Sequence, residues 1–253
     1  MIWKYLSSSV TGRSHLLRNE GGQDYCRAGT IQKSAGQIFI GLAADGAGSS
    51  SDGETGARIA CDTVYACIVS TIGNDSDLAG VSAETIAGWI VQARESIRIE
   101  SERQGKELRD YACTLMGAIV GDHSVFFQIG DGAIVVARND DAYETVFWPQ
   151  QGEYANTTFF LSDDTFRDSL MVAQRDTAPR QLALLTDGLQ NLALSYPERS
   201  VHSGFFKPLF EFLQSNSGNE YLSSHLRDFL DRDEVNERND DDKTLILAVQ
   251  GTA

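Results

Sequence analysis

The sequence predicts an α+β protein with sheets inside and helices outside. Two observations support this fold class. Apolar residues at three- and four-residue intervals predict two long helices in the first half of the chain. Short apolar runs separated by tight turns then predict an antiparallel meander, and further helices follow it. Strands followed by helices therefore occur twice along the chain.

The first half contains one clear strand and the two long helices. Residues 10–29 are polar and contain glycine, which predicts a loop or a frayed strand, whereas residues 37–43 form a short buried strand. Apolar side chains between residues 57 and 71 recur at helical spacing, so a helix with one buried face is expected there. A second helix is predicted over residues 82–104, where one stripe is apolar and the remaining positions are largely charged.

The second half begins with closely spaced strands and ends with one more. The meander is predicted from the runs YACTLMGAIV, VFFQIG, AIVVAR and TVFWP, which the turns GDHS, Asp131-Gly132 and NDD separate. Residues 150–164 are less regular. Later strands are predicted at residues 169–173, 181–185 and 244–249, and helices at residues 188–194, 205–213 and 221–230.

The composition argues against several classes of protein. A net charge of -15 leaves no basic face for nucleic acid or an anionic membrane. The four cysteines form no C-x-x-C pair and the four histidines no H-E-x-x-H motif, which argues against zinc and against a disulfide framework. Because the chain has no long apolar run and no apolar signal-peptide core, we expect a cytoplasmic protein with a single domain over residues 1–253.

The stretch ADGAGSSSDGETG, residues 44–56, raises the question of phosphate binding. Its glycines and threonine fit the spacing of a phosphate-binding loop, but Glu54 stands where that loop has a lysine. A carboxylate at this position would repel phosphate. Either the loop has no part in phosphate binding, or Asp45 acts on phosphate through a bound cation.

Acidic residues follow several of the predicted strands. Three apolar runs end in Asp-Gly, at Asp45, Asp131 and Asp187, and the acidic stretch NDDDKT precedes the last strand. Asp-Gly is a common hairpin turn, and this interpretation is strong for Asp131, which strands flank on both sides. Asp45 and Asp187 are instead followed by a loop or a helix, so neighbouring strands would bring their carboxylates together.

Such a carboxylate cluster requires protons or metal ions. Two like charges ~4 Å apart repel by about 4 kcal/mol at an effective dielectric constant near 20. Oxygen ligands without nitrogen or sulfur favour Mg2+ or Mn2+. Two such ions can share a hydroxide that attacks phosphorus while they hold the phosphoryl oxygens. The cluster therefore favours metal-dependent phosphate chemistry.

A calcium-binding loop is a weaker alternative. NDSDLAG places Asp75, Asp77 and Gly80 at the first, third and sixth positions of an EF-hand loop. Ala79 and Ile86 occupy the fifth and twelfth positions, where that loop needs oxygen ligands. The strand-end cluster thus remains the stronger candidate.

The order of the motifs resembles the metal-dependent protein phosphatase family, the PPM or type 2C serine/threonine phosphatases. The resemblance runs from GRSHLLRNEGGQD through ADGAG, CTLMGAIV, IGDG and LLTDGLQN to DDDKTLILAV. It is strongest for a bacterial branch with a G-x-S-H opening, Gln-Asp, and a GEYAN-like segment at residues 152–156. The resemblance implies a four-layer α-β-β-α sandwich, with a central antiparallel β-sandwich flanked by helices.

The same resemblance implies a set of metal ligands. Asp45 resembles the carboxylate that bridges two Mn2+ or Mg2+ ions, and Gly46 resembles a ligand that binds through its backbone carbonyl. Asp187 and Asp241 resemble the ligands of the second ion. Asp131 would join Asp187 at a third metal site, which some bacterial members possess.

The implied reaction is hydrolysis of phosphoserine or phosphothreonine in proteins by a hydroxide that bridges two metal ions. The catalytic residues would be Asp24, which acts on metal-bound water, together with Asp45 and Asp187. The resemblance places a phosphate-binding arginine before Gln23, and Arg18 is the nearest candidate. Arg13 and His15 are the alternatives for that role.

Some positions depart from the family pattern. The substitutions are Gln23 for a glutamate, Ala47 for a histidine of animal members, Asn191 for an aspartate and Asp242 for an asparagine. They motivate an alternative in which the domain is a catalytically inert binding or regulatory module. The retained Asp45, Asp187 and Asp241 favour the enzyme.

The implied partner is a phosphorylated protein, with a protein kinase or its target as the candidate. We expect no nucleic-acid partner, no membrane partner and a monomeric chain. The sequence does not identify the phosphoprotein.

Overall fold

The computed structural model describes residues 1–73, 78–138, 142–150, 158–216 and 219–251. The strands within these ranges are β1 (Ile2–Val10), β2 (Tyr25–Lys33), β3 (Gly36–Ala44), β4 (Leu115–Val120), β5 (Ser124–Ile129), β6 (Ala133–Ala137), β7 (Tyr143–Thr145), β8 (Met171–Arg175), β9 (Gln181–Leu185), β10 (Leu194–Ser195), β11 (Ser200–Val201) and β12 (Lys243–Gly251). The α-helices are α1 (Arg13–Leu17), α2 (Gly53–Gly73), α3 (Ala83–Gln104), α4 (Phe166–Ser169), α5 (Gln190–Ala193), α6 (Ser203–Ser215), α7 (Asn219–Leu230) and α8 (Asp233–Asn236).

Ten of the strands form two antiparallel sheets. The first sheet has the order β1-β12-β9-β6-β7, and the second has the order β2-β3-β4-β5-β8. Strands β10 and β11 pair separately as a short hairpin. In the first sheet the two ends of the chain are neighbours, because Ile2 pairs with Gly251 and Val10 with Lys243.

Buried apolar residues form three clusters, which correspond to the three interfaces of a four-layer sandwich. The middle cluster joins the two sheets through side chains such as Phe39, Phe126 and Ile246. A second cluster packs α2 and α3 against the β2–β8 sheet, and a third packs α6 and α7 against the β1–β7 sheet. The predicted α+β fold, with a central antiparallel β-sandwich and outer helices, is confirmed.

The two long helices lie where their apolar spacing predicts them. The α3 helix begins after Ser82, whose hydroxyl oxygen accepts a hydrogen bond from the Thr85 N–H at 3.1 Å. It ends at Gly105, which has the left-handed backbone conformation (φ 68°) typical of helix C-termini. None of the helices among the described residues is long and apolar enough to cross a membrane.

Three local predictions are wrong. Residues 10–29 are not one loop, because they contain the end of β1, helix α1 and the start of β2. The strand predicted from residue 111 begins at Leu115, after a 3-10 turn over Leu108–Tyr111. Asp131-Gly132 is not a hairpin turn, because β5 belongs to one sheet and β6 to the other. The four strands predicted as one meander are therefore split between the two sheets.

The strand registers bring the predicted acidic motifs to one end of the sandwich. In one sheet the end of β3 pairs with the start of β2, through Ala44 and Tyr25. In the other, Leu185 at the end of β9 pairs with Leu245 near the start of β12 and with Ala133 at the start of β6. The loops that carry the acids leave the sheets at these positions.

Candidate active site

Four aspartates line one cavity of about 420 Å3 at this end of the sandwich: Asp45, Asp131, Asp187 and Asp241. Each of them is partly exposed. Among the described residues that line the cavity there is no lysine or arginine. The sequence-predicted carboxylates are thus brought together without a basic side chain to neutralise them.

The backbone around Asp45 is fixed by its neighbours. The Asp45 N–H donates to the Thr114 hydroxyl at 2.9 Å, and the Thr114 N–H donates to the Asp45 carbonyl at 2.8 Å. The Gly46 N–H donates to the Gln23 carbonyl at 3.1 Å. A Cβ atom on Gly46 would lie 2.4 Å from the Gly53 carbonyl carbon, so only glycine lets this loop pass the start of α2.

Side-chain amides hold the turn that carries Asp131. The Gln128 amide donates to the Gly130 carbonyl at 3.0 Å and to the Gly132 carbonyl at 2.7 Å, and the Gln190 amide donates to the Asp131 carbonyl. The Gly130 N–H donates to Gln150 Oε1 at 2.8 Å. We call these three side chains, Gln128, Gln150 and Gln190, the glutamine frame. The Asp131 carboxylate itself accepts a hydrogen bond from the Thr158 hydroxyl.

Asp24 lies buried behind the cavity, next to the end of β9. Its Oδ2 atom accepts a hydrogen bond from the Thr186 hydroxyl at 2.7 Å, and that hydroxyl oxygen accepts one from the Thr244 N–H at 2.9 Å. Asp187 follows Thr186 directly and begins a short 3-10 turn over Asp187–Leu189. Thr186 thereby joins Asp24 to the two strands that carry Asp187 and Asp241.

The loop before β12 carries Asp241. The Asp241 carbonyl accepts a hydrogen bond at 2.7 Å from Lys243, whose fully buried ammonium group also donates to Asn236 Oδ1 at 2.9 Å. Burial lowers the pKa of Lys243. The next acid, Asp242, is buried and accepts hydrogen bonds from the N–H groups of Gly12 and Gln23.

Burial and the neighbouring carboxylates raise the pKa values of Asp24, Asp45, Asp131 and Asp187. Burial raises the pKa of Asp24 to about 8, against the hydrogen bond from Thr186. Burial, the charge of Asp131 and the charge of Asp241 raise the pKa of Asp187 to about 7. The pKa of Asp45 is raised well above its usual range by burial first and then by the neighbouring carboxylates, while burial raises the pKa of Asp131. The environment of these four acids thus favours their protonated forms.

The donor set fits divalent cations with oxygen ligands. Three buried side-chain oxygens have no hydrogen-bond donor among the described residues: Gln23 Oε1, Asp24 Oδ1 and Gln128 Oε1. Buried oxygens without donors are costly unless water or a cation compensates them. Of these three residues Gln23 lines the cavity, and with the four carboxylates and the backbone of Gly46 it provides the hard oxygen ligands that Mg2+ and Mn2+ favour.

Other residues of sequence interest lie away from the cavity. Arg18 is exposed, and its Nε atom donates to Glu20 at 2.7 Å. Arg18 is not among the described residues that line the cavity, so its phosphate-binding role stays a prediction. Ala47 lines the cavity, whereas Asn191 is exposed. The GEYAN-like segment at residues 152–156 lies outside the described residues, as do Asp75 and Asp77 of the calcium alternative.

Sequence reasoning missed the supports of the site. It did not assign a role to Thr186, to the buried Lys243 or to the glutamine frame. Glutamine and threonine are common in many environments, so a single sequence carries no signal for them. Asp242 did stand out as a departure from a family pattern, but its hydrogen-bond partners come from residues more than 200 positions away.

Comparison with known proteins gives a consistent result. A sequence profile described as protein phosphatase 2C matches residues 11–231. Serine/threonine-protein phosphatase 3 of Escherichia coli (strain K12) is 34% identical, over 98% of this chain and 99% of that protein.

Solved structures show the same fold at lower identity. Serine/threonine phosphatase Stp1 from Staphylococcus aureus superposes with a TM-score of 0.64 at 16% identity, over 100% of this chain and 96% of that chain. The Mycobacterium tuberculosis serine/threonine phosphatase PstP/Ppp superposes with a TM-score of 0.61 at 13% identity, over 100% of both chains.

Proposed function

The chain belongs to the protein phosphatase 2C family of metal-dependent serine/threonine protein phosphatases, and from this premise we propose that the cavity lined by its four aspartates is where it hydrolyses phosphoproteins. The resemblance found in the motifs is thereby confirmed at the level of family and activity. What remains to be proposed is the role of each residue.

The proposal rests on one observation: four carboxylates face a common cavity that has no basic side chain among its described lining residues. Phosphate is an anion, and this surface alone would repel it. We therefore propose that two divalent cations, Mn2+ or Mg2+, bind between the carboxylates and the substrate. Asp45, the Gly46 carbonyl, Asp187 and Asp241 would hold them, and Asp131 with Asp187 would hold a third.

When bound, the cations supply the charge that stabilises the phosphoryl oxygens and makes a water molecule acidic enough to attack phosphorus near neutral pH. The protein supplies geometry. The Thr114 and Gln23 contacts fix the Asp45 loop, and the Thr186 hydroxyl fixes one oxygen of Asp24. The other oxygen of Asp24 has no hydrogen-bond partner among the described residues, which supports the role proposed for this residue.

The remaining assignments are proposals of the same kind. We propose that residues 1–253 form one domain, since β1 and β12, the first and last strands among the described residues, pair along their whole lengths. The substrate is a phosphorylated protein, and a kinase or its target remains our candidate. The monomeric state and the cytoplasmic location stay predictions.

The experiment that tests the site measures hydrolysis of p-nitrophenyl phosphate and of a phosphothreonine peptide. Each reaction is run with Mn2+, with Mg2+ and with chelator, for the wild type and for Asp187→Asn. Because loss of an outer partner of a metal ligand costs about 10–100-fold, loss of the ligand itself should lower the metal-dependent rate by about 100-fold or more.

Asp168→Asn is the matched control, because Asp168 is an exposed aspartate on α4 that does not line the cavity. It should retain the wild-type rate. Equal rates for Asp187→Asn and Asp168→Asn would refute the site. Absence of hydrolysis by the folded, metal-loaded wild type would favour the inert module.

A further inference from the structure

We propose that His15 and Asp242 form a buried positioning pair that sets the loop of Asp241 for metal binding. The inference rests on the proposed function, because it concerns how this chain aligns one proposed ligand. It gives a role to the G-x-S-H opening, which the proposed chemistry does not use. Neither His15 nor Asp242 is among the residues that line the cavity.

The carboxylate of Asp242 forms hydrogen bonds with three residues of the N-terminal segment. Its Oδ1 atom accepts a hydrogen bond from the Gly12 N–H at 2.6 Å and lies 2.9 Å from His15 Nδ1, while its Oδ2 atom accepts one from the Gln23 N–H. Both side chains of the pair are more than nine-tenths buried. Three donors therefore converge on a single carboxylate that water hardly reaches.

The contacts of Asp242 indicate which atom donates the hydrogen bond between His15 and Asp242. Both oxygens of Asp242 already accept a backbone N–H group. A third acceptor contact fits this arrangement, so we assign the hydrogen to His15 Nδ1 as the donor. With its oxygens committed to these donors, Asp242 acts as an anchor for the N-terminal segment, although its carboxylate lies within 4.8 Å of that of Asp241.

The N-terminal segment that Asp242 anchors contacts the loop of Asp241 directly through its backbone. The Ser14 N–H donates to the Asp240 carbonyl at 2.9 Å. A Cβ atom on Gly12 would lie 2.3 Å from the Asp241 carbonyl carbon, so the two backbones touch. Any shift of the segment from Gly12 to His15 therefore displaces the backbone of Asp241.

The same carboxylate also connects the loop of Asp241 to Gln23, another residue that lines the cavity. An asparagine at position 242 would offer one acceptor oxygen and one amide donor. If its oxygen faced Gly12 and His15, its amide nitrogen would face the Gln23 N–H. Two hydrogen-bond donors would then oppose each other and no hydrogen bond would form. The aspartate satisfies all three groups, which accounts for an aspartate beside His15 at this position.

The test measures Mn2+ binding directly, by isothermal titration calorimetry on the full chain without substrate. Removal of the donor in His15→Leu should weaken Mn2+ binding by about tenfold or more, within the range typical for outer partners of metal ligands. His15→Asn should bind within about threefold of the wild type, because its amide nitrogen occupies the place of Nδ1. A role limited to folding would not distinguish donor positions in this way.

Two further variants control the measurement. His123→Leu changes a partly exposed histidine between β4 and β5 and should bind Mn2+ like the wild type. Asp241→Asn reports on the metal site itself. If Asp241→Asn binds like the wild type, the metal assignment under the proposed function is wrong. If Asp241→Asn loses binding but His15→Leu does not, the positioning pair alone is wrong.

Thermal unfolding identifies variants that do not fold. If His15→Leu is unfolded, the comparison is made between His15→Asn and His15→Gln, whose amide nitrogens occupy the places of Nδ1 and Nε2. The proposal requires His15→Asn to bind Mn2+ about tenfold more tightly than His15→Gln. Equal affinities of these two variants, or of folded His15→Leu and His15→Asn, would overturn it.

Discussion

Gln23 is one of the positions at which the resemblance implies a change of charge from the family pattern. Its backbone contacts both Gly46 and Asp242, and its side-chain oxygen is buried without a donor among the described residues. A neutral amide at this position leaves the cavity less negative than a glutamate would. The cavity should therefore bind cations less tightly than it would with a glutamate at position 23.

We predict that Gln23→Glu tightens Mn2+ binding by about tenfold, which corresponds to about 1.4 kcal/mol of added attraction. Calorimetric titration of both proteins measures the change. Gln32→Glu on β2 adds the same charge at an exposed position and should leave the affinity unchanged. Weaker binding by Gln23→Glu would contradict a cation site at this cavity.

The raised pKa values predict how stability depends on pH without metal. The pKa of Asp187 is about 7 and that of Asp24 about 8 in the folded chain, against an ordinary value of 3.8. Between these values the unfolded chain is ionised while the folded chain retains its protons, so rising pH favours unfolding. In chelator, the free energy of unfolding should fall by on the order of a few kcal/mol between pH 5 and pH 8.

Urea unfolding at each pH measures this fall. Mn2+ should reduce it, because the cation favours the ionised carboxylates, and Asp187→Asn should reduce it even in chelator. Stability that increases from pH 5 to pH 8 in chelator would show that the acids are ionised in the folded chain without metal.

Residue identity predicted the acids of the site but not their supports. The Asp-Gly pairs at Asp45, Asp131 and Asp187 are visible because the same pair ends three apolar runs. The role of Arg18 was implied by the resemblance and by its nearness to Gln23, and in the structure its partner is Glu20. Roles for individual residues remain proposals until the variants are measured.

At the scale of elements, the glutamine frame explains how a crossing between two sheets is held. The turn at residues 130–132 cannot use the hydrogen bonds of a hairpin, because β5 and β6 do not pair. Side-chain amides instead donate hydrogen bonds to all three carbonyls of the turn. Asp131 is thus oriented by groups outside either sheet.

We predict that Gln128→Leu destabilises the chain by about 1–3 kcal/mol for each of the two carbonyls that lose a donor. Urea unfolding in chelator measures this, since metal binding would otherwise contribute. Gln32→Leu, an exposed glutamine on β2, should change stability by less than about 0.5 kcal/mol. Similar effects of the two substitutions would mean that the frame is dispensable.

Elements were predictable where their own sequence carries the signal. The α3 helix shows its apolar stripe and its Ser82 cap locally, and the structure begins and ends it where the pattern predicts. The β1 strand contains three consecutive serines and owes its hydrogen bonds to β12 at the other end of the chain. The hairpin turn predicted at Asp131 was wrong because the sequence of an apolar strand does not show which sheet the strand joins.

At the scale of the whole molecule, β1 contributes to the core although it precedes the residues matched by the family profile. Leu6 is 2% exposed and packs in the cluster beneath α6 and α7, whereas Ile2 on the same strand is 51% exposed. We predict that Leu6→Ala lowers the free energy of unfolding by about 2–5 kcal/mol. Thermal or urea unfolding, followed by circular dichroism, measures it.

Ile2→Ala is the matched control and should change stability by about 0.5 kcal/mol or less. The reverse order of the two effects would place β1 outside the core. Fold class and family activity were both predictable from the sequence, and both are confirmed. The pairing of β1 with β12 was not, because it depends on contacts that span nearly the entire chain.

That pairing also sets an order of events during synthesis. Ile2 pairs with Gly251 at the far end of the sequence, and Asp241 is synthesised just before β12, the strand with which β1 pairs. Contacts so distant in sequence form late and slowly. A growing chain on the ribosome can build α2, α3 and the sheet beneath them before the proposed ligand Asp241 and strand β12 are made. If Asp241 holds a cation as proposed, we expect phosphatase activity to appear only after β12 has been translated and has paired with β1.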